Sequence, residues 1–482
     1  MKYDLAVLNG TVVVPGVGPQ RIDLGIQGGR IAALGHSIRA GEAEEVFDAQ
    51  GLHVLPGAID SHFHIGIYRP HGEDARSESL SAVAGGVTSL ISYFRTGHNY
   101  LDKTGPYREI FPELLALSRG NFWCDYSYHI APMTTDHIGE IEWLIDQGVC
   151  SFKFYMFYKG LNLASDSTQG KEYTMTENYD LGHLYELMYA IERANRGSKT
   201  RVSLSLHCEN PELIRVFMLR VQREGGTGLK AYSNARPPLS EALSIEEAGV
   251  LANSTRCPIN LLHLSSGEAL RTAVDIRNRY RGADMALETT LHHLTLSYDV
   301  PEGLSGKVNP PLRSAEDQNA LWDGVLRGQI DTVVSDHACC LRAMKAQELW
   351  PAWPGFGGTE LLYPIMLSEG MWKRGLPLER VADLLAANPA RLFGLYPLKG
   401  AIAVGSDADL AICDLESKRT VTAANLHSAQ DHTPFEGLTL RGWPVATMLR
   451  GKIVWRDGAP LGNPAGMFLK RPLGRGAASN PG

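Results

Sequence analysis

Short hydrophobic runs separated by turn residues occupy both ends of the chain. At the amino end, Asn-Gly and Gly-Gly pairs separate four runs that predict strands: Asp4–Leu8, Thr11–Val14, Ile22–Ile26 and Arg30–Leu34. At the carboxyl end, three similar runs predict strands: Asp409–Cys413, Val445–Arg450 and Lys452–Trp455. The shared pattern predicts that the two ends pair as one small β-sandwich.

Between the two ends, apolar runs alternate with amphipathic helical stretches, as βα units require. The eight runs are Ala58–His62, Val87–Phe94, Trp123–Ile130, Ser151–Tyr155, Val202–His207, Ile259–Leu264, Met285–Thr290 and Asp331–Ser335. The clearest helices are Glu109–Ser118, His183–Ala194, Glu241–Asn253, Glu268–Tyr280 and Ala315–Leu326. Eight repeats predict an α/β fold in which residues 58–397 form a (β/α)₈ TIM barrel and residues 1–57 and 398–482 form the sandwich. In such a barrel, catalytic residues lie at the carboxyl ends of the strands.

Composition excludes several classes of protein. The chain has 482 residues and a net charge of −7, and it lacks the basic run that nucleic-acid binding requires. The amino end does not follow the pattern of a signal peptide, and no window has 18 consecutive apolar residues, so we expect a cytoplasmic protein without membrane contact. Seven cysteines without a CxxC spacing indicate reduced thiols.

Five nitrogen or oxygen donors fall at predicted strand ends. His62 and His64 close the first run, and alternate strand residues face the same side, so both imidazoles can reach one metal. His207, His263 and Asp336 lie at or beside the ends of the fifth, sixth and eighth runs. Any one of these histidines could be an ordinary core residue. Together they predict a metal centre at the carboxyl end of the barrel.

Lys153 lies in the fourth run between two phenylalanines. Burial of an ammonium is costly and lowers the pKa of the amine. A free amine can react with carbon dioxide to form a carbamate, an anion whose two oxygens can bridge two cations. Taken alone, Lys153 could equally be a surface or ion-paired lysine. The surrounding donors favour the carbamate.

Seven motifs along the chain resemble those of the amidohydrolase superfamily, in its hydantoinase, dihydropyrimidinase, allantoinase and dihydroorotase branch. The first is the sequence Val54-Leu55-Pro56-Gly57-Ala58-Ile59-Asp60-Ser61-His62-Phe63-His64. The other six, in order, are Ser151-Phe152-Lys153, His207-Cys208-Glu209-Asn210, His263-Leu264-Ser265-Ser266, Asn309-Pro310-Pro311-Leu312-Arg313, Ser335-Asp336-His337 and Asp431-His432-Thr433-Pro434-Phe435-Glu436-Gly437. Their order over most of the chain makes the resemblance specific.

The resemblance implies a β-sandwich from both termini, a distorted barrel and two divalent metal ions, usually zinc. One ion would be held by His62, His64, carboxylated Lys153 and Asp336. The other ion would be held by Lys153, His207 and His263. Two such ions can share a water, lower its pKa and polarise a substrate carbonyl.

The resemblance also assigns catalytic roles. Asp336 would take a proton from the attacking water and return it to the leaving nitrogen. Tyr158 lies where relatives carry a tyrosine that donates to the developing oxyanion. Tyr155 is close enough in sequence to replace it, and Tyr158 could instead be a packing residue.

Two departures from the family pattern bear on the substrate. Dihydroorotases carry an arginine two residues after the HxH motif, where this chain has Gly66, so dihydroorotate is disfavoured. Pro354 stands where hydantoinases carry an asparagine that contacts the ring imide. The segment Glu288–Leu294 resembles the corresponding segment of allantoinases and dihydroorotases more than that of hydantoinases.

A set of aromatic residues could wall an apolar pocket, or could pack a lid against the barrel: Phe154, Tyr155, Phe157, Trp350, Trp353 and Phe356. The expected substrate contacts are Tyr158, Asn309, Trp353 and Phe356.

The leading hypothesis is metal-dependent hydrolysis of a cyclic amide or imide, such as a hydantoin or dihydropyrimidine, with an apolar or aromatic substituent. A second hypothesis keeps the metal centre and makes the substrate an acyclic amide or unusual lactam. A third, from another class, is a silent scaffold like the dihydropyrimidinase-related proteins, which lose metal ligands. The family resemblance further implies a homo-oligomer, either a tetramer or a dimer. Its expected binding partner is a small-molecule substrate, a cyclic amide.

Overall fold

The computed structural model describes residues 2–97, 99–158, 179–197 and 201–473. The strands before the barrel are β1 (Tyr3–Leu8), β2 (Thr11–Val14), β3 (Gly18–Gln20), β4 (Asp23–Gln27), β5 (Arg30–Gly35), β6 (Ala43–Asp48) and β7 (His53–Pro56). The barrel strands are β8 (Ala58–His64), β9 (Val87–Arg95), β10 (Asp125–Ala131), β11 (Ser151–Tyr155), β12 (Ser203–His207), β13 (Ile259–Leu261), β14 (Met285–Thr290), β15 (Thr332–Val334) and β16 (His337–Ala338). The strands after the barrel are β17 (Leu410–Thr420), β18 (Thr439–Leu449), β19 (Lys452–Arg456) and β20 (Ala459–Pro460).

The α-helices surround the barrel and connect its strands. They are α1 (His71–Ala84), α2 (Tyr107–Ser118), α3 (Thr135–Gly139), α4 (Ile141–Asp146), α5 (Leu181–Gly197), α6 (Pro211–Arg223), α7 (Gly228–Ala235), α8 (Pro238–Thr255), α9 (Gly267–Arg279), α10 (Leu291–Thr295), α11 (Ala315–Leu326), α12 (Leu362–Ile365), α13 (Leu378–Ala382) and α14 (Asn388–Leu392). In the part of the chain that the structure covers, no helix has the length and apolar character needed to cross a membrane.

The barrel strands pair in parallel in the order in which they follow one another along the chain. β15 pairs with β14, and β16 pairs with β8, so one extended segment closes the ring between the seventh and first strands. Ser335 and Asp336 lie between β15 and β16. The point of closure is therefore the position of a predicted metal ligand. Each of the eight predicted runs forms a strand of this barrel.

Two further sheets pack face to face. One has the strand order β5-β4-β1-β6, and the other has the order β20-β19-β18-β17-β7-β2-β3, which combines both ends of the chain. Leu5 and Ile26 from the first sheet share a buried apolar core with Val54, Ile412 and Met448 from the second. The predicted fold class, a distorted TIM barrel with a β-sandwich from both termini, is confirmed. β6 was not predicted because its exposed glutamates interrupt the hydrophobic pattern.

The segment after β20 packs against the barrel. The amide of Tyr126 in β10 donates to the carbonyl of Met467, and the amide of Leu469 donates to the carbonyl of Tyr126. The Arg471 guanidinium is buried and donates to Ser127 and Ser151. Residues 466–471 thus extend along the strand ends opposite the predicted metal ligands.

Candidate metal centre

Three predicted ligands converge where the barrel closes. His62 and His64 end β8, and their Nε2 atoms lie 3.1 Å and 3.2 Å from Oδ1 of Asp336. One ligand atom from each of these side chains lies within 4.8 Å of the others. His62 and Asp336 are buried, so few waters can compete for these donors. Two imidazole nitrogens and a carboxylate oxygen form a donor set that suits zinc.

A second pair of donors lies beside the first. His207 is the last residue of β12, and its Nδ1 lies 3.0 Å from Nε2 of His263, which follows β13. The rings of His62 and His263 are 5.3 Å apart between centroids, so the two groups adjoin. Burial lowers the pKa of His207 to about 4. His207 is therefore neutral near pH 7, the form in which imidazole binds metal.

Lys153 lies in β11 among these donors. Its Nζ is 4.1 Å from the ring centroid of Tyr93 and 4.9 Å from that of Tyr155. The Tyr93 ring also packs edge-on against His62, at 4.6 Å between centroids. Burial lowers the pKa of Lys153 to about 7. A large fraction of the side chain is consequently a free amine at neutral pH, as carbamate formation requires.

Carboxylates behind two histidines orient the rings. His62 donates from Nδ1 to Oε1 of Glu288 at 2.7 Å, and His207 donates from Nε2 to Oε2 of Glu209 at 2.6 Å. Arg236 in turn donates to both oxygens of Glu209. Such contacts fix the tautomer, so Nε2 of His62 and Nδ1 of His207 are left to bind a metal. Sequence reasoning did not give these glutamates a role, although both belong to motifs that it had singled out.

Two predicted ligands have an unusual backbone conformation. His263 has a φ of 34° and Asp336 a φ of 50°, values that side-chain-bearing residues rarely adopt. The His263 amide donates to Glu288, and the amide of Ser335, next to Asp336, donates to Asp60 at 3.1 Å. Strain of this kind persists where the surroundings over-determine it, and it concentrates at functional sites.

The two candidate oxyanion donors, Tyr155 and Tyr158, lie side by side. Their rings stack at 4.4 Å between centroids, and both side chains are buried. Burial raises the pKa of Tyr158, which keeps its phenol protonated and able to donate. Tyr155 is nearer to Lys153, whereas Tyr158 lies beside Arg95. Both residues remain candidates for this role.

The expected substrate contacts differ in their exposure to solvent. Trp353 is partly exposed, and its ring packs edge-on against Tyr68 at 5.0 Å between centroids. Asn309 is also partly exposed and accepts a hydrogen bond from the Tyr232 hydroxyl.

Phe356 differs from the expectation. It is only 2% exposed and packs edge-on against His292, at 5.1 Å between centroids. Its surroundings fit the alternative in which the aromatic residue packs its loop against the barrel. Phe154 is likewise buried and stacks on Tyr179. Phe157 is partly exposed, and its ring lies 4.3 Å from that of His207, so it borders the metal centre.

Among the described residues, two other acidic groups have the spacing of metal ligands: Asp74, Glu78 and Cys339, and Asp125, Asp407 and Asp409. Each already surrounds a cationic side chain. The Arg69 guanidinium lies 3.3 Å from Asp74. The Lys399 ammonium lies 2.7 Å from Asp409 and 2.9 Å from Asp407. These cations neutralise the carboxylates, so neither group competes with the histidine cluster as a metal site.

Comparison with known proteins agrees with this geometry. The model of the amidohydrolase family matches residues 253–454. The chain is 34% identical to an allantoinase of Rubrobacter xylanophilus, over 97% of this chain and 98% of the relative. It is 30% identical to a D-hydantoinase of Ralstonia pickettii, over 97% and 99%.

Solved structures give the same result. A D-hydantoinase crystal structure superposes with a TM-score of 0.85 at 28% identity, covering 97% of this chain and 98% of that one. A dihydropyrimidinase from Brevibacillus agri NCHU1002 has the same TM-score and coverage at 26% identity. The same overall fold thus extends over nearly the whole chain. The chain belongs to the amidohydrolase family and is an enzyme of its cyclic amidohydrolase branch.

Proposed function

We propose that the protein opens the ring of a cyclic amide or imide at a centre of two divalent metal ions, with zinc as the native metal. One ion is assigned to His62, His64 and Asp336, the other to His207 and His263, and a carboxylated Lys153 to both. The approach of both His62 and His64 to one oxygen of Asp336 is the observation that carries the proposal.

The residues present fit such a centre. The imidazoles of His64 and His207 are neutral near pH 7, because burial lowers both pKa values to about 4. Asp336 supplies the carboxylate, and Lys153 has the lowered pKa that carbamate formation needs. When bound, two divalent ions would supply an activated water and a Lewis acid for the substrate carbonyl.

The side chains of the chain itself have three tasks. Asp336 accepts the proton of the attacking water and passes it to the leaving nitrogen. Tyr158, or its stacked neighbour Tyr155, donates its phenol proton to the developing oxyanion. Glu288 holds the ring of His62 in place.

The surroundings favour an apolar or aromatic substituent on the ring. Phe157 is partly exposed beside His207, and Trp353 is partly exposed beside Tyr68. The position two residues after His64, where dihydroorotases carry an arginine, is Gly66. A substrate carboxylate would lack the charged partner that this position supplies in dihydroorotases, and loss of such a partner costs several kcal/mol for a desolvated anion.

Allantoin is the second candidate substrate. The two relatives at 34% and 33% identity are allantoinases, and D-hydantoinases follow at 30%. The segment Glu288–Leu294 also resembles that of allantoinases. An acyclic amide remains the third candidate. By family resemblance, we expect a homo-oligomer, either a tetramer or a dimer. We propose a cytoplasmic location for it.

Elemental analysis and a substrate panel test the proposal. Protein produced with ample zinc should hold two ions per chain, and fewer than one would contradict the binuclear centre. On that preparation, kcat/KM is compared for dihydroorotate, allantoin, dihydrouracil, an aryl-substituted hydantoin and a linear amide. The aryl-substituted hydantoin should be the best substrate. Faster turnover of allantoin would support the second candidate, and metal-loaded protein without any hydrolysis would support a silent scaffold.

A further inference from the structure

Two buried lysines outside the metal centre direct their ammonium groups at one loop. Lys307 follows the 3₁₀ turn at Gly303–Gly306, and Lys345 ends the 3₁₀ turn at Arg342–Lys345. Lys307 is 0% exposed and Lys345 is 3% exposed. We refer to this pair as the lysine clamp, and to residues 349–355 as the clamped loop.

Each ammonium group donates to three backbone carbonyls. Nζ of Lys307 donates to the carbonyls of Leu349 at 3.0 Å, Trp350 at 3.2 Å and Ala352 at 2.5 Å. Nζ of Lys345 donates to the carbonyls of Lys307 at 3.1 Å, Trp353 at 3.1 Å and Gly355 at 2.5 Å. An ammonium has three N–H donors, so the three carbonyls among the described residues are enough to pair the donors of Lys345. The Gly355 amide also donates to the Lys307 carbonyl at 2.9 Å, which joins both segments a second time.

The clamped loop packs against Tyr68 and against β16, the strand that follows Asp336. The Tyr68 hydroxyl donates to the carbonyl of Pro354 at 2.6 Å, and the Tyr68 ring packs edge-on against Trp353. Gly355 has a φ of +103°, and a Cβ added to it would lie 3.2 Å from the Cβ of Ala338, which is two residues after Asp336. The loop backbone is thus in direct contact with the segment that carries Asp336.

Burying two ammonium groups here is costly, and burial lowers the pKa of Lys345 to about 8. An ordinary surface loop would leave its carbonyls to water. Buried cations whose donors are matched to inward-facing carbonyls instead hold the backbone in one position. Because Trp353 is part of the clamped loop, the same hydrogen bonds also fix its position.

We propose that Lys307 and Lys345 are positioning residues that determine substrate choice, because they hold the clamped loop, which carries Trp353, against Ala338, the β16 residue that pairs with the candidate ligand His64. The proposal rests on the proposed function, since it requires a substrate whose substituent reaches Trp353. The acceptors of both ammonium groups among the described residues are backbone carbonyls outside the candidate ligands, so we expect the chemistry itself to be independent of the clamp.

Lys307→Met and Lys345→Met test the proposal, with Lys452→Met, a change of an exposed lysine on β19, as the matched control. We expect the KM for an aryl-substituted hydantoin to rise at least about tenfold while kcat changes less than about threefold. For dihydrouracil, which lacks the substituent, both constants should stay within about threefold of wild type. Metal content should be unchanged, and Lys345→Arg should recover part of the affinity.

A merely structural role would lower the activity toward both substrates in parallel. An unchanged ratio of kcat/KM for the two substrates in both methionine variants would therefore overturn the proposal. If these variants do not fold, hydrogen exchange on the wild-type protein decides. Peptides covering 345–357 should be protected as well as those from β14, and complete exchange at the first time point would overturn the proposal. Because hydrogen exchange needs no substrate, failure of the proposed function would be visible separately, as absent hydrolysis by wild type.

Discussion

Glu288 accepts a hydrogen bond of 2.7 Å from Nδ1 of His62, and Nε2 of the same ring lies 3.1 Å from Asp336. The glutamate is on β14 and the histidine is on β8, so the contact spans the segment that closes the ring between the seventh and first strands. The same Glu288 oxygen accepts the backbone amide of His263. One carboxylate thus orients a candidate ligand of the first ion and the backbone of a candidate ligand of the second.

Glu288→Gln should weaken metal binding because an amide is a poorer acceptor for the His62 ring than a carboxylate. Loss of such an outer partner typically lowers metal affinity about 10–100-fold. Dialysis against graded chelator, followed by elemental analysis, measures the effect. Glu109→Gln, at an exposed position on α2, is the control. Equal metal retention in both variants would contradict the orienting role.

Lys153→Ala should lose metal and activity together, because the change removes the proposed bridging carbamate. Short carboxylic acids added to the variant should restore part of both, since their oxygens can occupy the same position. Zinc content and hydrolysis rate are measured with and without the acid. Rescue by short amines instead would show that Lys153 acts as an amine and not through a carbamate.

Asp336→Asn keeps the shape of the side chain and removes the proton acceptor. Activity should fall at least about 10²-fold, the scale of a positioned general base. Metal content should fall much less, because His62 and His64 remain. Steady-state rates on metal-saturated protein test this, and near-normal turnover would refute the assignment of Asp336 as the base.

Trp353→Ala should reduce the preference for an aryl substituent about 10 to 100-fold, the scale of one lost apolar contact surface. The ratio of kcat/KM for an aryl-substituted hydantoin to that for dihydrouracil measures this preference. Trp372→Ala is the matched control, since Trp372 is 40% exposed and contacts Leu415 in the sandwich. If the aryl preference survives in the Trp353 variant, the pocket must be formed by other residues.

Acid should destabilise the fold through His71, a buried histidine whose Nε2 lies 3.0 Å from the Ser118 hydroxyl. Burial lowers its pKa to about 4 from 6.5. Between these values the unfolded chain binds a proton that the folded chain does not, so stability falls as pH drops from 6.5 to 4, by up to about 3 kcal/mol.

Thermal melts of wild type and His71→Phe across this pH range test the effect. The variant should show a smaller decrease in melting temperature on acidification, because the buried group no longer titrates. His36→Asn, at an exposed position, should follow wild type. Identical pH slopes for wild type and His71→Phe would contradict the assignment.

Local sequence was sufficient to predict the barrel and the proximity of the candidate metal ligands. Each barrel strand is a short apolar run, and most of these runs are followed by a helix. The hydrophobic pattern that marks a strand or a helix depends only on neighbouring residues. The ligands could be found because parallel strands in a barrel all end on one side, so donors at strand ends must meet. For His62, His64, His207, His263 and Asp336, position along the strand was enough to predict proximity.

Tertiary structure alone decided what surrounds those ligands. The contact of Glu288 with His62 joins residues 226 positions apart, and the three acceptors of Lys345 depend on how two irregular loops approach each other. Phe356 and Trp353 are both large aromatic residues of one loop, yet Phe356 is buried against His292 and Trp353 is partly exposed beside Tyr68. The sequence alone gives no reason to expect different burial for these two residues, because both are large aromatic side chains in the same loop. Only the packing of the loop on the barrel distinguishes them, because burial depends on neighbours that are distant in sequence.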